Sequence, residues 1–218
     1  MIRRFCMMGV GMQIHPEEAM NWCQSKPAYE KIKRISDLLL SSILLAGMAV
    51  PMLMIAFAVR LDSPGPAFYL QFRLGMFGKP FPLLKFRTMK QDAEREGPVW
   101  AEREDARRTK IGILLRRFHL DELPQLINIL MGDMSFVGPR PERAIFYESF
   151  KKSVSGFDKR LLVKPGLTGL AQISGGYDLS PLEKWEYDMR YIRERSVLVD
   201  FKCLMLTIPA VLSGRGAR

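Results

Sequence analysis

The sequence predicts an α+β chain, predominantly helical, with one small β-hairpin and one membrane helix. Three observations predict it. A long uncharged run, Leu38 to Val59, lies between Asp37 and Arg60. Aromatic residues on both sides of Gly75 to Gly78 read as a short hairpin. Most of the remaining apolar residues recur at helical spacing or fill short apolar runs. With 218 residues and 48% hydrophobic composition, the chain suits one compact domain plus a membrane element.

The first residues, Met1 to Met12, place Arg3 and Arg4 before a few apolar side chains. His15, Pro16, Glu17 and Glu18 follow without a small-residue cleavage site, so no cleavable leader is read there. Cys6, Cys23 and Cys203 share no metal-like or redox-like spacing, and three cysteines do not make a disulfide framework. Reduced thiols, and hence a cytoplasmic setting, are expected.

The run Leu38 to Val59 is long enough, at ~1.5 Å rise per residue, to cross a hydrocarbon core of roughly 30 Å. A buried core helix is the competing reading, disfavoured by length. Pro51 removes a backbone donor and crowds the preceding turn, which predicts a kink or break near Val50. Lys31, Lys33 and Arg34 precede the run, and Arg60, Arg73 and Lys79 follow it, so the positive-inside rule finds no outer end. A re-entrant hairpin and a kinked spanning helix both satisfy these facts. In either, Ser41 and Ser42 are placed to cap freed carbonyls.

Asp62 to Pro66 is a turn cluster that ends the membrane element. Phe68, Tyr69 and Phe72 then lead into Gly75 to Gly78, and Pro80 to Phe86 returns as the second strand. From Thr88 to Arg108 charges of both signs alternate around Gly97 and Pro98, with Trp100 the one large apolar residue. That reads as a surface segment or lid, mostly a solvated loop with helical turns. Ile111, Leu114, Leu115 and Phe118 give Lys110 to His119 a helical period, and Pro124 marks the first turn of a helix over Leu123 to Met131. Asp121 and Glu122 therefore fall at a helix N-terminus. Near the end, Leu182 to Arg195 reads as a charged helix, and Val197 to Leu212 as an interfacial or buried one, too short and too interrupted at Pro209 to span.

Lys and Arg number 33 against 23 Asp and Glu, a net charge of +10 that favours an anionic partner such as nucleic acid, anionic lipid or a phosphate-bearing substrate. Chemistry concentrates between Arg116 and Gln125, where Arg116, Arg117, Asp121 and Glu122 meet a helix start. Backbone donors at such a start favour phosphate, arginines clamp its oxygens, and a carboxylate there can bind a divalent metal or attack phosphorus. Asp-Glu pairs also serve simply as charge complements to a helix N-terminus. Gly138 to Glu142 holds Arg140 and Glu142 between two prolines, which fixes their direction or merely builds a turn. Lys85 and Arg87 end the hairpin with positive charge for a diphosphate, or protect an edge strand. Lys164 to Gly169 is a turn-rich loop with weak phosphate-loop character and no Walker pattern. His15 and His119 have no zinc-like spacing, and no acyl-transfer triad is present.

Together these motifs resemble the bacterial sugar transferase family, the monotopic phosphoglycosyl transferases. The resemblance runs from about Lys31 to the C-terminus. It rests on the run with Pro51; on Gln71, Arg73, Gly75, Gly78, Lys85, Phe86 and Arg87; on Asp105, Arg107 and Thr109; and on Leu120 to Gln125, Gly138 to Glu142, and Lys164 to Gln172. It implies an N-terminal extension over 1–30, a re-entrant membrane helix over 31–61 broken at Pro51, and a cytosolic, membrane-associated catalytic domain over 62–218. It further implies the bacterial inner membrane, interfacial helices around a cytosolic catalytic face, and ping-pong transfer of a phosphosugar from a UDP-sugar to undecaprenyl phosphate with release of UMP. By that matching Asp121 is the nucleophile and a ligand for Mg2+, Glu122 its partner, and Lys85, Arg87, Arg116 and Arg140 contacts to substrate phosphates. The reaction would begin glycoconjugate or exopolysaccharide synthesis. Two positions depart from the family pattern: His119 stands where many relatives have Ser or Thr, and Gly176 where many have Arg.

Two rival classes remain at this stage. A membrane-anchored basic module that recruits nucleic acid or acidic lipid explains the charge but leaves the clustered carboxylates idle, so nucleic acid is not expected as a partner. A sugar-only glycosyltransferase would release UDP instead of UMP. The transferred sugar and the oligomeric state, a homodimer included, stay open.

Overall fold

The computed structural model describes residues 26–94, 97 and 105–212. They form a mostly helical molecule with two small two-stranded sheets. Helix α1, Pro27–Asp62, carries the uncharged run, and the helical pattern continues through Pro51. It is long and apolar enough to cross a membrane, with a window of mean hydropathy 2.3 of which 6% is buried. Ser41 donates to the carbonyl of Leu38, one turn back, so it does not cap the Gly47 carbonyl that lies four residues before Pro51. The predicted extension over 1–30 lies largely outside the described residues, with α1 beginning at Pro27.

The hairpin forms as the aromatics around the Gly75–Gly78 turn predict: β1 (Phe68–Leu74) pairs antiparallel with β2 (Pro80–Phe86). Phe81 and Leu83 of β2 are buried, and Lys85 follows them on the same face by the two-residue period of a strand. Phe86 faces the other way and stacks on Phe68, with ring centroids 5.2 Å apart. Thereafter come α2 (Lys110–Arg117), α3 (Gln125–Met131), β3 (Ser135–Val137), α4 (Ala144–Ser153), β4 (Gly166–Thr168), α5 (Leu170–Ser174), α6 (Pro181–Glu194) and α7 (Val197–Leu212). Helix α3 is shorter than expected. Pro124 is its N-cap, and Leu120–Glu122 forms a separate 3-10 turn before it. Helix α6 starts in a capping box between Ser180 and Glu183, a signal that the sequence shows plainly.

The main core joins Phe81 and Leu83 of β2, Leu126 and Ile129 of α3, Phe136 and Val137 of β3, and Met189 and Ile192 of α6. A second cluster, Val59, Ala67, Phe86 and Leu115, seats the C-terminal end of α1 against the hairpin and α2. Polar contacts fix both ends of α1 to this one domain. At its start, Tyr29 and Lys33 donate to Asp200 of α7 at 2.9 and 2.7 Å, and Arg34 donates to the terminal carbonyls of α3, Ile129 and Leu130, at 2.8 and 2.9 Å. Asp37 accepts from the Ser135 hydroxyl and the Phe136 amide, both at 3.1 Å. At its end, Asp62 accepts from the Ile111 amide in the first turn of α2 at 2.9 Å.

Strands β3 and β4 pair in parallel, which brings the Gly138–Glu142 loop beside the Lys164–Gly169 loop. The approach is close: a Cβ on Gly166 would lie 2.1 Å from the Gly138 nitrogen, so only glycine fits. The second loop is thus a packing element beside the first, and its glycines serve backbone contact. Helix α3 is tied to the free edge of β2 by Asn128, which accepts from the Leu84 amide at 3.0 Å and donates to the Pro82 carbonyl at 2.8 Å. Asn128→Ala strands both groups at a partly buried edge, a loss of about 1–3 kcal/mol. Its midpoint in thermal unfolding should fall by about 2–4 °C for each kcal/mol lost; an unchanged midpoint would show that the side chain does not hold the edge.

Candidate active site

Three short pieces of backbone converge on one buried carboxylate. Lys85 arrives from the inner face of β2, Glu122 from the 3-10 turn ahead of α3, and Arg140 from the loop after β3. Glu122 accepts from the Lys85 ammonium at 2.8 Å and from both terminal nitrogens of Arg140 at 2.5 and 3.3 Å. Asp121 sits beside it, 6% exposed, and among the described residues its carboxylate accepts no hydrogen bond and makes no ion pair.

The neighbours therefore differ in electrostatics. Burial disfavours charge on Glu122, but Arg140 and Lys85 together outweigh burial and hold its carboxyl well below the usual range. Burial raises Asp121, the Glu122 charge adds to the rise, and Lys85, Arg116 and His119 oppose it from a distance. One carboxylate is locked and the other is left open and basic. A basic, unpartnered carboxylate is the better nucleophile.

Of the other expected phosphate contacts, Arg116 lines the same cleft and its Nε donates to the Thr88 hydroxyl at 2.8 Å. Arg87 also lines the cleft. Its guanidinium donates to the carbonyls of Pro64, Ser63 and Val59, at 2.5, 2.6 and 3.3 Å, where α1 ends. A cation there complements the helix dipole and satisfies carbonyls where α1 ends, so those Arg87 nitrogens brace the end of α1. Thr88 to Arg108 is a correction where it is described. Thr88 and Asp105 are buried, the Lys90 amide donates to the Arg107 carbonyl at 2.9 Å, and Arg107 hydrogen-bonds to Asp105 and holds it down to about 2. The ends of that segment are a paired neck instead of a solvated loop; Trp100 lies outside the described residues.

Several supporting residues carry no sequence signal of their role. Arg160, buried in the 3-10 turn Phe157–Leu162, pairs with Asp188 of α6 at 2.7 Å and donates to the Arg140 carbonyl at 3.1 Å. The Leu74 amide donates to the Glu142 carbonyl at 3.1 Å and Arg73 to the Pro141 carbonyl at 3.1 Å, so β1 braces the loop that carries Arg140. His119 adopts a left-handed conformation, φ 54°, that lets the chain turn from α2 into the carboxylate pair. Gly176, φ 58°, lines the cleft with open space where a side chain would be.

All four of Asp121, Glu122, Arg116 and Arg140 line a cleft of about 1020 Å³, with Lys85 and Arg73 beside them. Among the described residues no group of three His, Cys, Asp or Glu forms a protein-only metal cage. The donor set fits a different mode: Mg2+ is commonly held by one or two carboxylates plus substrate phosphates, and the unpartnered carboxylate of Asp121 meets that requirement.

Residues 28–214 match the family described as bacterial sugar transferase. A UDP-N-acetylgalactosamine-undecaprenyl-phosphate N-acetylgalactosaminephosphotransferase of Aeromonas hydrophila is 38% identical over 195 residues, 88% of this chain and 46% of the relative. A UDP-glucose:undecaprenyl-phosphate glucose-1-phosphate transferase of Escherichia coli K12 is 42% identical over 204 residues, 88% of this chain and 44% of the relative. A putative undecaprenyl-phosphate N-acetylgalactosaminyl 1-phosphate transferase of Bacillus subtilis is 51% identical over 134 residues, 61% of this chain and 74% of the relative. The chain thus spans about half the length of the first two relatives.

The raised Asp121 carboxyl has a consequence for stability. Because its folded pKa lies above the unfolded value, stability is greatest below the ordinary carboxylate range and falls as pH rises through the raised value. Asp121→Asn removes that cost. At neutral pH the variant should melt above wild type, by about 2–4 °C for each kcal/mol relieved, and the gap should close as pH is lowered. An Asn variant that melts lower at neutral pH contradicts this electrostatic description.

Proposed function

The chain belongs to the bacterial sugar transferase family, and from that premise we propose that it is a polyprenyl-phosphate phosphoglycosyl transferase. It takes a phosphosugar from a UDP-sugar, passes it to undecaprenyl phosphate and releases UMP, a step that begins glycoconjugate or exopolysaccharide synthesis. The names of the relatives supply donor and acceptor. The observation that carries the mechanism is the division within the carboxylate pair, Glu122 clamped by Lys85 and Arg140 and Asp121 left unpartnered.

In the first step an oxygen of Asp121 attacks the sugar-bearing phosphorus. The bond from that phosphorus to the bridging oxygen breaks, and UMP leaves with the electron pair. In the second, a phosphate oxygen of the acceptor attacks the same phosphorus, the bond to Asp121 breaks, and the free carboxylate returns. Covalent catalysis lets a water-soluble donor and a membrane-bound acceptor visit one site in turn. Arg116, Lys85 and Arg140 offset the charge of the phosphoryl oxygens, and Glu122, held anionic, keeps two of those cations in place. Magnesium bound through Asp121 would add positive charge against the diphosphate.

The anchors of α1 support a membrane arrangement. Tyr29, Lys33, Arg34 and Asp37 at its start, and Val59 and Asp62 at its end, all attach to one polar domain. Ala46 to Pro51 between them is exposed. A domain cannot occupy both sides of a bilayer, which supports a re-entrant α1 with both ends on the basic, cytoplasmic side of the inner membrane. Lipids then bound Ala46 to Pro51, and Pro51 marks the place where the helix turns back.

Two experiments test this reading. Wild-type protein given UDP-sugar alone should release UMP and gain one phosphosugar on the peptide that contains Asp121, while Asp121→Asn should form no adduct; release of UDP, or full turnover by the Asn variant, defeats the mechanism. Single cysteines placed near Lys33 and Arg73 should both resist a membrane-impermeant thiol reagent applied outside the cell. Labelling of one flank alone would show that α1 spans.

A further inference from the structure

The cleft that holds Asp121 continues past the charged groups. Leu40, Leu44 and Met48 line it from α1, and Leu204, Ile208 and Val211 line it from α7. The α1 residues recur every four positions, and those of α7 at four and three, so each set forms one stripe on its helix. Thr207 donates to the Cys203 carbonyl at 2.7 Å and shares a 2.6 Å hydrogen bond with Thr168, which satisfies the hydroxyls between the stripes. The result is one continuous cavity, basic at the carboxylate pair and apolar between two apolar helices.

We propose that this apolar lane takes the first isoprenoid units of the acceptor, with the acceptor phosphate at Lys85, Arg116 and Arg140. The assignment rests on the reading of the acceptor given above and adds where its chain lies. Three observations select this occupant. An anionic head joined to an apolar chain matches both ends of the cavity, whereas a nucleotide sugar is polar throughout and fills one end. The apolar end is built partly by α1, the element with membrane hydropathy, so a lipid chain reaches it without crossing water. Exposed Leu198 and Phe201 extend the apolar surface of α7 beyond the lane. Holding the first units of the chain orients the phosphate for attack, so the lane contributes to the second displacement and not to the first.

The test uses the full chain in phospholipid vesicles and a polyprenyl phosphate bearing a diazirine on its first isoprene unit. Photolysis should label peptides containing Leu40 to Met48 and Leu204 to Val211, and unlabelled undecaprenyl phosphate should suppress the labelling. Labels confined to other peptides, or labelling displaced equally by phospholipid, would overturn the proposal. Ile208→Trp and Leu44→Trp narrow the lane in folded protein. In these variants the kcat/KM advantage of undecaprenyl phosphate over a two-isoprene phosphate should fall by about tenfold, the equivalent of about 1.4 kcal/mol. An advantage preserved in both overturns the lane. Failure of wild-type protein to release UMP from donor alone would strike the two-step reaction instead, and the photolabelling would still decide the path of the chain.

Discussion

Everything at this site depends on the neutralisation of Glu122. A carboxylate buried to this degree carries a desolvation cost of several kcal/mol, and here a lysine from a strand and an arginine from a loop offset it. The three groups come from separate parts of the chain, so the ion cluster also sets the geometry between the hairpin, the turn before α3 and the loop after β3. Removing any one member leaves charge unbalanced in a low-dielectric setting, which makes the arrangement all-or-none. Asp121 acquires its character by contrast, since Lys85, the cation that most opposes its rise, is already bonded to its neighbour.

The same economy links the site to α1. Arg87 lies two residues from Lys85, so one short strand end holds the catalytic cluster with one side chain and the terminus of α1 with another. Opposite it, Arg34 closes the carbonyl end of α3, the helix that follows the carboxylate pair. Helix α1 is thereby braced against both elements that flank the carboxylate pair.

What the sequence made legible follows from how local each signal is. The hairpin, α6 and α7 were readable because aromatics around a glycine-containing turn, a charged helical stretch and an apolar run are written within a few residues. The carboxylate pair was readable from Pro124 nearby, although the helix starts later than that proline suggested. Arg87 was not, because a basic residue at a strand end gives no sign of whether it faces phosphate or a helix terminus. Asn128 and the Arg160 and Asp188 pair were hidden for a related reason: their partners are the edge of β2, the Arg140 carbonyl and each other, all distant in the chain. Alternating charge around Asp105 reads as solvated, yet its pairing with Arg107 allows it to be buried. The resemblance to a family pointed to Lys85, Arg116, Asp121, Glu122 and Arg140, and tertiary contacts bring these five to one cleft.

The central claim is that Asp121 stands free so that phosphorus is attacked twice, first by the protein and then by the acceptor. The configuration at that phosphorus tests it most directly. A donor made chiral with sulfur and an oxygen isotope at the sugar-bearing phosphorus would be turned over, and the lipid-linked product analysed. Two in-line displacements restore the original arrangement, so the account predicts net retention. Net inversion would mean a single direct transfer from donor to acceptor, and would contradict it.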